Sequence, residues 1–184
     1  LHLCHHNLET IETTSTTSDT LLAEVCYAAK YEGETLTTQH GKHHRDSTGS
    51  TICTELARSF ADIGDIIRGR DIFRGNDEEK KKRDELDDKL KDIFKNIYND
   101  VTSGKTNGEA AKDRYKDTEN YFQLREDWWN ANRQEIWKAI TCSAAGGNNY
   151  FRHTCNGQNK TQDNCRCAAG DVPTYFDYVP QYLR

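Results

Sequence analysis

Seven cysteines constrain this chain of 184 residues more than any other feature. Hydrophobic residues make up 34% of the chain, below the roughly 45–50% that is typical of globular domains, so the apolar core is expected to be small. Disulfides would compensate for the small core, since each adds roughly 2–4 kcal/mol to the free energy of unfolding. The alternative is a set of reduced, buried thiols, but reduced cytosolic domains rarely carry so many cysteines. We therefore predict a disulfide framework whose connectivity the spacing leaves open, with the odd cysteine paired outside the chain.

Apolar residues recur at helical spacing in four stretches and predict an all-α fold. The predicted helices are Asp19–Glu32, Ile52–Arg68, one from about Asp77 to Val101, and one, with a bend, from about Gly108 to Ala144. Gly33 and Gly69 are expected to end the first two helices in the left-handed conformation. Gly64 lies inside the second helix, where a glycine often permits close approach by another helix. Glu34–Ser50 and Asn148–Val179 are expected to be loops, and Pro180 is suited to start a further helix.

The length and the charge exclude several classes of protein. A chain of 184 residues suits one domain, and no window approaches the roughly 18 apolar residues of a membrane span, so we predict no membrane insertion by this segment. A net charge of −5 argues against nucleic-acid binding, which favours a strongly basic face. The sequence lacks an initiating Met and a signal peptide, and we interpret it as a piece of a longer protein.

Motifs for metal binding and catalysis are weak. Two H-x-x-H-H motifs, at His2–His6 with Cys4 and at His40–His44, offer zinc ligands, but neither lies within a predicted helix. Solvated histidines are the favoured interpretation, and we assign no metal and no cofactor. No cysteine–histidine pair shows a recognisable arrangement of nucleophile and base. We predict no catalytic residue and no enzymatic activity.

A basic run, Lys80-Lys81-Lys82-Arg83, is the candidate anion or glycan patch. It would suit a sulfated glycan or an acidic partner. The alternative is a solvated face that is paired within itself, because acidic residues lie four positions from each of the four cations. Such i,i+4 pairs stabilise a helix surface without forming a binding site. We favour the self-paired interpretation and keep the patch as a candidate.

Several sequence blocks resemble one family. They are LHLCHHNLE, LLAEVCYAAKYEG, ARSFADIGDIIRGRDIF, LREDWWNANRQEIWKAITC and DVPTYFDYVPQYLR, and they span Leu1 to Arg184. Together they resemble a Duffy-binding-like domain, and more narrowly the alpha class found in the erythrocyte membrane protein 1 family of falciparum malaria parasites. The motifs DIGDI at Asp62–Ile66 and PQYLR at Pro180–Arg184 bracket the region commonly used to identify that class.

The resemblance implies a helical, disulfide-stapled fold of three subdomains. Residues 1–18 would end the first subdomain, residues 19–172 would form the second, and residues 173–184 would begin the third. By the same resemblance Cys4 pairs upstream of Leu1, and Cys53–Cys155 matches a bridge common in the family. We add Cys26–Cys142, because these two positions flank helices that are expected to face each other.

The function implied by the resemblance is adhesion. Alpha-class domains lie on the extracellular face of the infected erythrocyte and help it bind host cells, including uninfected erythrocytes in rosettes. The implied partners are a host cell-surface receptor, a sulfated or blood-group glycan, and antibodies against antigenically varied loops. The alternative is a structural spacer that orients neighbouring receptor-binding domains. The matched blocks are scaffold motifs and carry no binding site residue by residue.

Overall fold

The computed structural model describes residues 8–14, 16–43, 51–72, 75–104, 106–144 and 146–184. Within these residues the chain is helical, as predicted, and its irregular C-terminal part contains two isolated β-bridges. The α-helices are α1 (Ser18–His43), α2 (Ile52–Arg68), α3 (Asp77–Ser103), α4 (Gly108–Arg114) and α5 (Phe122–Ile140). No helix in the described part of the chain is both long and apolar enough to cross a bilayer.

Helix α1 continues beyond the predicted end at Gly33 and reaches His43. Gly33 is a contact residue in this helix, because a Cβ atom there would lie 2.0 Å from the carbonyl oxygen of Ile140. At the other end of the same interface, Trp128 Nε1 donates a hydrogen bond of 3.0 Å to Ser18 Oγ. Since Ser18 meets Trp128 and Gly33 meets Ile140, α1 and α5 run parallel and in direct contact.

Helix α2 has the predicted bounds and packs its apolar face on α5. Gly69 ends it with φ of 69°, as predicted. Gly64 permits the close approach, because a Cβ atom there would lie 2.8 Å from Trp129 Cζ2. The ring of Phe60 lies 5.1 Å from Trp129 and 5.2 Å from Trp137. These aromatic contacts make the α2–α5 interface the centre of the core.

Helix α3 covers the remaining side of the core. Asn76 and Glu79 form a reciprocal capping box, with hydrogen bonds of 2.9 and 3.0 Å. Such a box satisfies two backbone N–H groups that a helix start leaves unpaired. Its apolar face is buried at Leu86, Leu90, Ile93, Phe94 and Ile97. Phe94 meets Trp128 edge-on at 6.0 Å.

The predicted fourth helix is interrupted and forms α4 and α5. Tyr121, at the start of α5, has φ of 58°, which places it in the left-handed region. The carboxylate of Asp117 accepts hydrogen bonds from the backbone N–H groups of Glu119, Asn120 and Phe122 at 3.0–3.3 Å. These bonds stabilise a turn in place of a continuous helix.

Pro180, which is suited to start a helix, precedes a short 3₁₀ turn, Gln181–Leu183, at the chain end.

The Gly33 contact generates a stability prediction. Gly33→Ala is expected to lower the free energy of unfolding by about 1–3 kcal/mol, because the added methyl group must displace the backbone of Ile140. Urea denaturation of the purified variant measures this. Gly104→Ala is the matched control, because a Cβ atom there meets nothing within 4 Å. Equal stability of the two variants would contradict the assigned contact.

Candidate functional site

A buried carboxylate, Asp177, joins the C-terminal segment to the helical core. It accepts hydrogen bonds from Trp129 Nε1 at 2.9 Å and from Nε and Nη2 of Arg133 at 2.8 Å each. Its backbone carbonyl accepts a further bond from Arg68 of α2. Bidentate pairing of this kind compensates a buried charge that would otherwise be costly. The 3₁₀ turn Phe176–Tyr178 is therefore fixed against both α2 and α5.

Arg68 is fully buried and forms the second member of this cluster. Its Nε donates to Gly64 O at 2.9 Å and its Nη2 to Asp65 Oδ1 at 3.1 Å. Burial lowers the pKa of Arg68, and the nearby carboxylate of Glu126 opposes this. The guanidinium lies 5.7 Å from the Tyr178 ring. The buried charge thus supports an aromatic side chain at the surface.

Arg184 forms a second anchor for the C-terminal segment. It pairs with Asp65 and lies 3.5 Å from Asp62 Oδ1. Burial raises the pKa of Asp62, and the positive charge of Arg184 acts in the opposite direction. Asp177 and Arg184 therefore hold both ends of the segment 177–184 on α2.

Two cavities flank the connector between α2 and α3, which begins at Gly69. The first, of 340 Å³, lies between the connector and the start of α3. Its apolar walls come from Ile66, Ile72 and Leu86, and its charged lining is Asp71, Lys80, Arg83, Asp84 and Asp87. Three carboxylates and two basic side chains line this cavity, and this lining suits a polar ligand better than a purely apolar one.

The candidate basic patch borders this first cavity, but its members differ in their pairing. Arg83 is nearly buried and bonds Asp71. Lys81 pairs with Glu85 at 3.8 Å and Lys82 with Glu78 at 3.5 Å, both on the solvent face. Lys80 is exposed, lines the cavity and has no carboxylate at ion-pair distance within the described residues. The patch therefore offers one cation towards the cavity.

A buried arginine lies behind the same cavity. Arg125 is fully enclosed, and its Nη1 donates to Asp87 Oδ1 at 2.8 Å. A Cβ atom at Gly69 would lie 2.7 Å from that Nη1, so the glycine provides room for the guanidinium. Burial raises the pKa of Asp87, but the hydrogen bonds and charges of Arg125 and Lys91 outweigh it and leave this pKa lowered. Asp87 is therefore a persistent negative charge at the cavity wall.

The second cavity, of 270 Å³, lies on the other side of Ile72 and is aromatic. Tyr182, Ile72 and Tyr178 line it and are 75%, 57% and 43% exposed. The backbone N–H of Ile72 donates to Gln181 Oε1 at 2.9 Å and joins the connector to the C-terminal segment. On the rim, Arg70 pairs with Glu126 at 2.7 Å. We call the area around both cavities the connector surface; it is formed by residues 69–72, the start of α3 and residues 177–182.

The two disulfides in the described part of the chain differ from the predicted connectivity. Cys53 pairs with Cys165, and Cys155 pairs with Cys167, so the predicted Cys53–Cys155 bridge is wrong. The cause is the folding of the C-terminal loop. Trp137 Nε1 donates to Cys165 O at 3.1 Å, which fixes Cys165 beside the core and within reach of the start of α2. Resemblance to the family could not supply this loop geometry.

The predicted Cys26–Cys142 bridge is also wrong, since both residues are free thiols in the structure. Cys26 lies on α1 two turns before Gly33, a distance of about 10 Å along the helix. Cys142 follows Ile140, which contacts Gly33. A disulfide requires Cα atoms within about 7 Å, and this offset is larger. Burial raises the pKa of the Cys26 thiol to about 11, and the charge of Glu135 adds to this.

Sequence reasoning missed the buried Arg125 and the nearly buried Arg133 of α5. Arg125, Trp129 and Arg133 are spaced four residues apart and lie on one face of α5. The available signal was the position of two arginines on the same helical face as Trp129. A face that carries a large apolar side chain usually packs on the core, so charges on it are expected to be buried and paired. Of the histidine motifs, His2, His5, His6, His44 and Cys4 lie outside the described residues.

The described residues form a helical domain in which a disulfide joins the start of α2 to the C-terminal loop. Comparison with family models places residues 1–184 in the family described as the Duffy binding domain. The chain belongs to this family. The comparison with curated proteins gave no match.

Solved structures of the same family align closely. The NTS-DBL1(alpha-1) domain of Plasmodium falciparum membrane protein 1 (PfEMP1) from the varO strain is 41% identical, with a TM-score of 0.78. The alignment covers 99% of this chain and 40% of that one. The ICAM-1-binding DBLβ domain of IT4var13 PfEMP1 is 30% identical, with a TM-score of 0.69, over 100% of this chain and 39% of that one. The same DBLβ domain bound to ICAM-1 is 30% identical with a TM-score of 0.67, covering 99% and 40%.

The chain thus spans about 40% of the length of these relatives. Its greater identity to the DBL1-alpha domain agrees with the alpha-class resemblance of its sequence blocks. These relatives are domains of PfEMP1, and the DBLβ domain of IT4var13 PfEMP1 binds ICAM-1.

The observed disulfides generate a mapping prediction. Peptide mapping without reduction is expected to yield Cys53 linked to Cys165 and Cys155 linked to Cys167. Alkylation before digestion should label Cys26 and Cys142, which are free thiols. A peptide joining Cys53 to Cys155 would overturn the structural assignment in favour of the pairing that the sequence resemblance implies.

Asp177 generates a second stability prediction. Asp177→Asn removes the charge that compensates Arg133 and is expected to cost about 3–5 kcal/mol, because a buried cation is left unpaired. Thermal or urea unfolding measures the loss. Glu135→Gln is the control, because it breaks an exposed pair with Lys138 and should change stability by less than about 1 kcal/mol. A small effect at Asp177 would contradict its role as an anchor.

Proposed function

We propose that this chain is part of a host-cell adhesion module and that it contributes a surface that binds a host cell-surface receptor. The observation that carries the proposal is its membership of a family in which DBLβ relatives are bound to ICAM-1. Rosetting and cytoadherence of infected erythrocytes are the activities that such a module would serve. Its location would be the extracellular face of the infected erythrocyte membrane.

The connector surface is the proposed contact area. It exposes Ile72, Tyr178 and Tyr182 around one cavity and charged side chains around the other. Aromatic residues and arginine are enriched at the centres of protein interfaces, where they supply most of the binding energy. Asp177 and Arg184 hold the segment rigidly, so little conformational entropy would be lost on binding.

We also retain the division into subdomains as a proposal, with residues 1–18, 19–172 and 173–184 in the first, second and third. Antibodies would meet the variable stretches, which we place at Glu34–Ser50, Arg74–Lys82, Thr102–Lys116 and Gly146–Ala168. Most core residues lie on α1, α2, α3 and α5 outside these stretches, although Tyr150 and Cys165 in the last stretch also belong to the core.

Glycan binding at the basic patch is the finer hypothesis. Its support is Lys80, which is exposed and lines the first cavity, whereas Lys81, Lys82 and Arg83 have carboxylate partners. A sulfate group beside Lys80 would be attracted by its charge, although Asp84 and Asp87 on the same wall oppose this. The acidic neighbours predict weak, strongly salt-dependent binding.

Reversal of one charge tests this hypothesis. Lys80→Glu is expected to weaken binding to immobilised heparin about threefold to tenfold at low salt, because it removes the cation that faces the cavity. Surface plasmon resonance across a salt series measures the change. Lys95→Glu is the matched control, since it makes the same charge change on α3 about 20 Å away. Equal losses in both variants would show non-specific attraction and reject the patch.

Binding to whole cells separates adhesion from the alternative, a structural spacer. Labelled protein should bind uninfected erythrocytes or ICAM-1-bearing cells saturably, and Tyr182→Ala should reduce that binding without loss of stability. Glu135→Gln serves as the surface control. Absence of saturable binding at every concentration at which the protein stays monomeric would reject the adhesion proposal for this chain and favour the spacer.

A further inference from the structure

Two Asn-Gly pairs occur in the chain, Asn107-Gly108 and Asn156-Gly157. Such a pair is prone to spontaneous loss of the asparagine amide, because glycine has no Cβ atom to shield its backbone nitrogen, which is the attacking group. Both asparagines are exposed, but Gly108 is buried whereas Gly157 is exposed. The two pairs are equivalent in local sequence, so their folded surroundings determine which one reacts.

Asn156-Gly157 forms the tip of a turn in the C-terminal loop. Asn156 has φ of 49° and Gly157 has φ of 81°, so both lie in the left-handed region. These are the angles of a tight hairpin turn, for which Asn-Gly is a favoured pair. At its base, Cys155 and Asn159 exchange two backbone hydrogen bonds, of 3.1 and 2.8 Å. The tip itself projects into open space, since a Cβ atom at Gly157 would meet nothing within 4 Å.

Ring closure between the side chain and the next backbone nitrogen requires the intervening peptide group to rotate. The Asn156–Gly157 peptide makes one hydrogen bond, from Gly157 N–H to Thr154 O at 3.0 Å. No group among the described residues donates to Asn156 O, and the side-chain amide of Asn156 has no partner there either. Rotation at this peptide therefore breaks a single hydrogen bond.

The Asn107–Gly108 peptide is held more firmly at the start of α4. Gly108 N–H donates to Gly104 O, and Asn107 O accepts from Ala111 N–H, each at 3.0 Å. A Cβ atom at Gly108 would lie 2.5 Å from the carbonyl oxygen of Thr102, so this glycine is also packed against the backbone. Rotation here breaks two hydrogen bonds and disturbs a packed contact.

We propose that Asn156 is a deamidation site in the folded chain and reacts at least about fivefold faster than Asn107, as the loss of one hydrogen bond fewer implies. The Gly157 nitrogen loses its proton to base and attacks Cγ of Asn156. The new C–N bond closes a succinimide ring, the Cγ–Nδ2 bond breaks, and the nitrogen leaves as ammonia. Water then opens the ring at the Cγ carbonyl to give aspartate or at the backbone carbonyl to give isoaspartate. One water is consumed and one ammonia released.

The product changes both the charge and the shape of the turn. Asn156 N–H donates to Asp171 Oδ2 at 3.1 Å, so a carboxylate at position 156 lies close to an existing one and repels it. Isoaspartate also adds a methylene group to the backbone between Cys155 and Gly157, which alters the hairpin. One sequence therefore yields two or more proteins that differ in the charge of an exposed loop.

Peptide mapping tests the site, because trypsin separates the two pairs. It releases TNGEAAK, which contains Asn107, and HTCNGQNK, which contains Asn156. The folded protein is incubated in mildly alkaline buffer, and samples are then reduced, alkylated and digested briefly in mildly acidic buffer. Mass spectrometry follows conversion of amide to carboxyl, and we expect at least about fivefold faster conversion at Asn156 than at Asn107.

Two controls identify the cause and the residue. In urea with reduced disulfides the two peptides should convert at similar rates, because neither pair is then held by the fold. Asn156→Gln should abolish fast conversion in HTCNGQNK, since glutamine closes a larger ring more slowly, and this distinguishes Asn156 from Asn159. Equal rates in the folded protein, faster conversion at Asn107, or fast conversion that persists in Asn156→Gln would each overturn the proposal.

Discussion

The hydrogen bonds to the carboxylate of Asp177 are the interaction on which the arrangement of the connector surface depends. It is enclosed by Trp129 and Arg133 of α5, while its backbone carbonyl receives Arg68 of α2. One residue of an otherwise irregular segment therefore contacts two core helices through charge-assisted bonds. Because breaking a buried pair leaves a charge without compensation, the segment cannot separate locally at low cost. The exposed side chain of Tyr178 owes its fixed position to this constraint.

Close helix contact is the second constraint, and two glycines provide it. Gly33 lets α1 reach the backbone of Ile140, and Gly64 lets α2 reach the ring of Trp129. Helix α5 is thus contacted from two sides at positions where any side chain would collide. This packing compensates for a low apolar content, since dense contacts gain more from each buried group than loose ones. The disulfides add to a core that is already well packed.

The sequence predicted the helical class, the bounds of α2 and the role of Gly64, because periodicity and glycine chemistry are local. The prediction was wrong where contacts between residues distant in the sequence determine the structure. Gly33 looked like a helix end, but its contact with Ile140 keeps it inside α1. No glycine or proline marks the break before α5, which the side chain of Asp117 produces through three backbone hydrogen bonds. Disulfide partners likewise depend on how the final loop folds over Trp137. In the candidate site, the basic run could be identified from the sequence. The pairing of Arg83 with Asp71 could not, because it depends on how the connector folds against α3.

The residues that hold the fold and the residues that line the connector surface are different residues in this chain. The residues that hold the fold, such as Arg68 and Trp129, are buried and make several contacts each. The residues that line the second cavity, such as Ile72 and Tyr182, are exposed and bury little surface of their own. Substitution of an exposed side chain away from such buried contacts usually changes stability by less than about 0.5 kcal/mol. The exposed residues of the connector surface can therefore be substituted while the fold persists.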